Sequence, residues 1–159
     1  YVRMGAPVEG PERVAEVLRD LLLIRRLIFV DILRLVAPRT SAESLAAARE
    51  AAARAWDARH ELGAFLAEDF ELVRQVAVAA GFLPGVWMMN ALRGVYLDLA
   101  RNLTGGAMVP ADYLDSFHGI LASLARHDGE AASRAIAGYL ERHDQALLAA
   151  LGLATTVTP

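Results

Sequence analysis

The stretch "EDFELVRQVAVAAG", residues 68–81, decides the fold, because its apolar residues repeat at the spacing of a helix. Leu72, Val73, Val76 and Ala80 recur every three or four residues and therefore line one helical face. Asp69 falls on the same face. A carboxylate on an inward apolar face costs free energy unless another group pairs with it. The stretch predicts a packed helix and a partner for Asp69 elsewhere in the chain.

Helical spacing recurs along most of the 159 residues, and no segment shows the alternation of a strand. Proline, glycine and capping residues divide the pattern into helices. These run from Pro11 to Pro38, from Thr40 or Ser41 to about Trp56, from about Leu62 to Ala80, from Pro84 to "NLTGG", from Pro110 or Ala111 to "RHDG", and from Asp128 to about Leu151. Long helices with short connections predict an all-α, antiparallel bundle of six to seven helices in one domain.

Composition excludes several classes of function. The net charge is -3, so this chain alone is a poor candidate for binding nucleic acid. It has no lysine for a Schiff base or a phosphate loop and no cysteine for thiolate chemistry. The most apolar run, "LLLIRRLIFV", is interrupted by Arg25 and Arg26, and no stretch reaches the roughly 18 apolar residues that a membrane span needs. We expect a cytoplasmic protein with no membrane contact.

Polar residues lie on the apolar faces of other predicted helices too. By its spacing Arg25 faces inward on the first helix, His118 on the fifth, and Tyr139 and His143 on the sixth. Polar groups of mixed type on separate helices, together with Asp69, predict a shared central cavity for a ligand. Structural alternatives remain open at this point: Arg25 and Asp69 as an internal ion pair, His118 as a hydrogen-bonded core histidine, and Tyr139 as core filling.

Catalytic chemistry finds little support in the sequence. Asp69 and His118, with His143 as a third ligand, form a thin set for a metal ion. Ser116 and Ser123 share a predicted helix with His118, but their spacing places neither on its face. No nucleophile elbow, glycine-rich phosphate loop or paired-carboxylate motif occurs. We therefore expect no enzymatic activity.

Three segments in this order resemble the effector-binding domains of GntR-family transcription regulators, of the FadR-like subfamily. The first is the run from Asp69 to Gly81, with its alternating small residues. The second is "FHGILASLARHDGEAASRAI", which carries His118, and the third is "LLLIRRLIF", which carries Arg25. Together they span about residues 14–150, nearly the whole chain.

The resemblance implies a homodimer with a central cavity for a small effector. It also implies DNA binding through an N-terminal winged helix-turn-helix that this sequence lacks. Residues 1–10 would then be a linker remnant from that winged-helix domain, residues 11–151 the helical effector-binding domain, and residues 152–159 a tail.

The same resemblance predicts the site. Metal-binding members use one aspartate and three histidines; Asp69 and His118 match two of these positions, whereas Val73 and Tyr139 occupy the other two. We therefore expect no metal cofactor, because valine and neutral tyrosine do not replace an imidazole donor. The expected ligand is an acyl group, an acyl-CoA or a small carboxylate whose anionic group pairs with Arg25. The predicted ligand-binding residues are Arg25, Asp69, Val73, His118, Tyr139 and His143.

Two alternatives belong to other classes of protein. One is a metal-dependent sensor or enzyme that uses Asp69, His118 and His143. The other is a helical scaffold that only dimerises.

Overall fold

The computed structural model describes residues 11–102 and 109–150, which form six α-helices and one short 3-10 turn. No strand occurs within these two ranges, so the all-α prediction is confirmed. The predicted linker (residues 1–10) and tail (residues 152–159) lie outside the described residues. The elements are α1 (Pro11–Val36), η1 (Ala37–Arg39), α2 (Ala46–Asp57), α3 (Leu62–Ala79), α4 (Leu83–Asn102), α5 (Tyr113–Ala125) and α6 (Gly129–Ala150).

The first and last helices pack side by side. α1 contacts α6, α2 contacts both α3 and α5, α3 contacts α4, and α5 contacts α6. Successive helices with short connections pack as antiparallel neighbours, as in helical bundles. α4 packs closely on α3, and this arrangement leaves room between α4 and α1.

One apolar core joins five of the helices. α2 contributes a face of small residues that are fully buried, so its backbone comes close to its neighbours. Larger side chains from α1, α3, α5 and α6 fill the space beyond it. The face on α2 consists of Ala48, Ala51, Ala52 and Ala55.

Local hydrogen bonds fix several predicted helix ends. The Glu61 carboxylate accepts hydrogen bonds from the Gly63 and Ala64 amides at the start of α3, at 3.0 and 2.5 Å. Gly81 follows the end of α3 with a φ of 61°, a conformation that glycine adopts without strain. Asp128 accepts a hydrogen bond from the Ala131 amide at 2.8 Å, which confirms it as the cap of α6.

The predicted start of α2 is wrong by about five residues. Thr40 is buried, and its hydroxyl lies 3.0 Å from the Leu124 carbonyl oxygen and 3.1 Å from that of Ala37. It therefore ties η1 to α5 and does not cap α2. Ser41 and Ser44 exchange side-chain hydrogen bonds in a turn that precedes the first helical residue, Ala46. α5 likewise begins at Tyr113, after Ala111.

The close contact of α1 with α6 generates a prediction. A Cβ atom on Gly129 would lie 3.0 Å from Arg34 Cα and 3.2 Å from Ala37 Cβ. We expect Gly129→Ala to lower the free energy of unfolding by about 1–3 kcal/mol, because the backbone of α1 must move away. Urea denaturation measures this change.

Gly119→Ala is the matched control. Gly119 lies inside α5, and a Cβ there would have no neighbour within 4 Å. That variant should gain up to about 1 kcal/mol from the higher helix propensity of alanine. Equal stability of the two variants would contradict the close approach at Gly129.

Candidate functional site

A cavity of about 200 Å³ lies between α1, α3 and α4. Its described walls are almost wholly apolar, with a single arginine and a single aspartate. Because the cavity lies against α4, it is off the centre of the bundle. The lining residues are Leu18, Leu21, Leu22, Ile24, Arg25, Ile28, Phe29, Asp69, Phe70, Val73, Met88, Met89 and Leu92.

Arg25 projects from α1 into this wall and forms an ion pair with Asp144 of α6. The side chains are only 16% and 12% exposed, so the pair is largely shielded from water. Ionised groups in such surroundings need partners, since burying an unpaired charge costs several kcal/mol. The pair bridges helices at opposite ends of the described chain.

Asp144 is a site residue that the sequence predictions missed. It stands within the charged run "ERHDQ", which is typical of a solvated face. A signal was nevertheless present: Ala132, Ile136 and Leu140 are buried at steps of four residues, and Asp144 is the next step.

The hydrogen-bond partner of Asp69 lies on α5. The Tyr113 hydroxyl donates a hydrogen bond to Asp69 Oδ1 at 2.9 Å. Burial raises the pKa of Asp69 above its ordinary value, and the Tyr113 hydrogen bond, Arg25 and His143 partly offset that rise. Helical spacing placed Asp69 correctly, whereas Tyr113 stood at the very start of a helix and was not predicted to take part.

Aromatic rings connect the two polar pairs. The ring centroids of Tyr113 and Tyr139 lie 6.1 Å apart, and Tyr139 stacks on His143 at 5.9 Å. His143 Nδ1 lies 3.7 Å from Asp144 Oδ1, too far for a hydrogen bond but close enough for an ion pair when the imidazole is protonated. We call this set the polar network; its members are Arg25, Asp69, Tyr113, Tyr139, His143 and Asp144.

The predicted inward position of His118 is wrong. His118 is exposed, and the neighbouring Phe117 occupies the inward position on α5, 5.1 Å from the Tyr139 ring. Successive helical residues are about 100° apart, so an error of one position in the inward face exchanges a buried residue for an exposed one. At this point of α5, Phe117 therefore faces the core and His118 faces the surface.

The other predicted residues are placed as follows. Arg25, Asp69 and Val73 line the cavity, and Val73 also borders a separate apolar void of about 30 Å³ beside Phe117. Tyr139 is 4% exposed and packs among aromatic rings of the core, outside the cavity wall. His143 is partly buried next to it. Because the rings fill the middle of the bundle, the cavity lies to one side of the predicted central position.

The alternative metal set gains no support from burial, because His118 is exposed whereas Asp69 and His143 are partly buried. Within residues 11–102 and 109–150, no group of three histidine, aspartate or glutamate side chains has an arrangement that could hold a metal ion. In the same ranges, no helix is both long and apolar enough to cross a membrane.

A helical bundle with an apolar cavity beside a largely buried polar network has the arrangement of many ligand-binding domains. Comparison with protein families narrows this class: the model of the FCD domain matches residues 20–142. The chain belongs to this family, the C-terminal effector-binding domain of GntR-family regulators. Neither the search of curated proteins nor that of solved structures gave a match at the threshold applied.

The raised pKa of Asp69 predicts how stability depends on pH. Between the ordinary value of 3.8 and the higher folded value, the folded state binds more protons than the unfolded state, so stability falls as pH rises through this interval. Asp69→Asn removes this titration. We expect the free energy of unfolding of the variant, relative to wild type, to increase as pH rises above 3.8.

Urea denaturation at a series of pH values tests this, with Asp112→Asn as the control. Arg142 lowers the pKa of Asp112, so replacing Asp112 should give the opposite trend: a relative loss of stability as pH rises. A relative stability of Asp69→Asn that stays constant or falls with pH would contradict the burial of this carboxyl group.

Proposed function

We propose that this chain is the effector-sensing and dimerising part of a GntR-type regulator, and that its effector binds in the cavity between α1, α3 and α4. The main observation behind this proposal is an apolar cavity of about 200 Å³ whose wall includes Arg25 and Asp69. Ligand sites in proteins are commonly concave and apolar, with a few polar groups that fix orientation. The family supports the role, since it is the effector-binding part of such regulators.

The volume supports a small effector. An apolar cavity of about 150 Å³ takes one benzene molecule, so 200 Å³ suits one ring with a short substituent or a compact aliphatic molecule. A long acyl chain with its CoA group exceeds this volume. Of the ligands expected from the sequence, the small molecules therefore fit the described cavity better than acyl-CoA.

The exposed apolar residues of α1 and α4 support dimerisation through this side of the bundle. Trp87 is 67% exposed, Leu27 58% and Leu83 57%, and large apolar side chains grouped on a surface are typical of an interface. Leu27 borders a cleft of about 400 Å³ between the same two helices. We propose that a second copy of the chain covers this face.

The position of the cavity suggests how an effector would act. Exposed Ile24 and Leu92 belong to the cavity wall, so the proposed dimer face and the cavity adjoin each other. An effector that fits better in one arrangement of α1 and α4 shifts the population toward that arrangement. Attached winged-helix domains would then change their spacing and their affinity for DNA in the cytoplasm.

Filling the cavity tests the site. Val73→Phe places a larger side chain in the cavity wall. Val78→Phe makes the same change at an exposed position of the same helix. The panel consists of small aromatic and aliphatic amines, alcohols and carboxylates. At about 100 times its Kd, a bound compound should stabilise the wild type by about 2.7 kcal/mol.

Thermal denaturation with each compound gives the readout. We expect Val78→Phe to respond as the wild type does and Val73→Phe to lose the shift. A ligand-induced shift that persists in folded Val73→Phe would place the site elsewhere, and the absence of any shift in the wild type would favour the scaffold that only dimerises.

The dimer face is tested with a charge. Trp87→Arg should convert the protein to a monomer in light scattering after gel filtration, because a desolvated arginine without a partner opposes association. Ala53→Arg adds the same charge to an exposed position of α2 and should leave the dimer intact. A dimer that tolerates Trp87→Arg would exclude this face as the interface.

A further inference from the structure

At the cavity, the acidic residues Asp69 and Asp144 outnumber the basic residue Arg25 with which they interact. Arg25 is the basic residue of the described wall, and its guanidinium group already pairs with Asp144. Asp69 is the acidic residue of the same wall. Two carboxyl groups therefore lie near one guanidinium group, and an anion that uses the Nη2 atom of Arg25 must compete with Asp144 for it.

This arrangement opposes an anionic ligand. A carboxylate that approaches Arg25 competes with Asp144 and also meets Asp69 across the cavity. Interactions between charges a few ångströms apart are strong when water is largely excluded. Competition with Asp144 for Arg25, and the second carboxyl group at Asp69, therefore both act against binding of an anion.

Asp69 suits a hydrogen-bond donor instead. From the described residues it accepts one hydrogen bond, donated by the Tyr113 hydroxyl, whereas a carboxyl group offers further acceptor positions. An ammonium or hydroxyl group in the cavity can donate to the remaining positions. The rest of the wall offers apolar contacts from side chains such as Phe29, Phe70 and Met89.

We propose that the cavity takes a small apolar molecule that ends in a hydrogen-bond donor, an amine or a hydroxyl group directed at Asp69, and that it rejects organic anions. The inference rests on the proposed function, because it names the chemical class of that effector. It reverses the expectation from the sequence, in which Arg25 receives an anionic group.

Three compounds of nearly equal shape test the inference on the wild-type chain: 2-phenylethylamine, 2-phenylethanol and phenylacetate. Each carries one ring and a short polar arm, so differences in binding report the polar group. We expect the amine and the alcohol to bind with a Kd at least about tenfold lower than that of phenylacetate in isothermal titration calorimetry at pH 7, since like charges at a desolvated site are strongly unfavourable.

Two variants should change the relative affinities for the amine and for phenylacetate, each by removing a different carboxylate. Asp144→Asn removes the carboxylate that holds Arg25, so phenylacetate should bind about tenfold or more tightly than it does to wild type. Asp69→Asn removes the acceptor charge and should weaken the amine by a similar factor. Asp112→Asn is the control, because Asp112 pairs with Arg142 at a pair of side chains 50% and 61% exposed and lines no part of the cavity.

The outcomes separate the two proposals. Tighter binding of phenylacetate than of the amine and alcohol to wild type would overturn the inference and leave the cavity as the effector site. Unchanged preferences in folded Asp69→Asn would also overturn it, and this variant serves if Asp144→Asn does not fold. If none of the three compounds and no member of the wider panel binds, the proposed function fails and the inference fails with it.

Discussion

Pairing of charged groups inside an apolar bundle is the constraint on which the rest of this structure depends. Arg25 and Asp144 are largely shielded from water, and their ion pair joins α1 to α6. Asp69 and Tyr113 join α3 to α5 in the same region. Breaking a buried pair by removing one partner commonly costs about 3–5 kcal/mol. These two contacts therefore favour the arrangement of helices that brings their partners together.

The cavity results from unequal packing around that centre. α3 packs closely on both α2 and α4, whereas α1 packs on α6 and leaves space toward α4. On the core side, the rings of Tyr113, Phe117 and Tyr139 fill the interior. On the α4 side, flexible residues such as Met88 and Met89 form the wall. Methionine side chains adapt to ligands of different shape, which would suit the proposed effector site.

The aspartate expected at a family metal site has a hydrogen-bonded protein partner here. Asp69 keeps its place on α3, but a tyrosine hydroxyl provides its hydrogen bond, and Val73, one turn later, adds an apolar surface. The arginine that an anionic effector would need is already paired. His118 is exposed, and the described cavity wall carries Arg25 and Asp69 among apolar side chains. In the proposal above, an effector would be recognised through its shape and one hydrogen bond.

Periodicity and capping signals in the sequence by themselves determined the helices, the inward positions of Asp69 and Arg25, and the ends at Gly81 and Asp128. These features depend on residues within one or two helical turns, so a linear pattern contains them. Only the tertiary structure decided that Asp144 pairs with Arg25 across 119 positions of sequence, that Tyr113 reaches Asp69, and that Phe117 faces inward in place of His118. The rotation of each helix about its axis and its partner across the bundle are set by packing between distant segments, and a single helical pattern does not encode them.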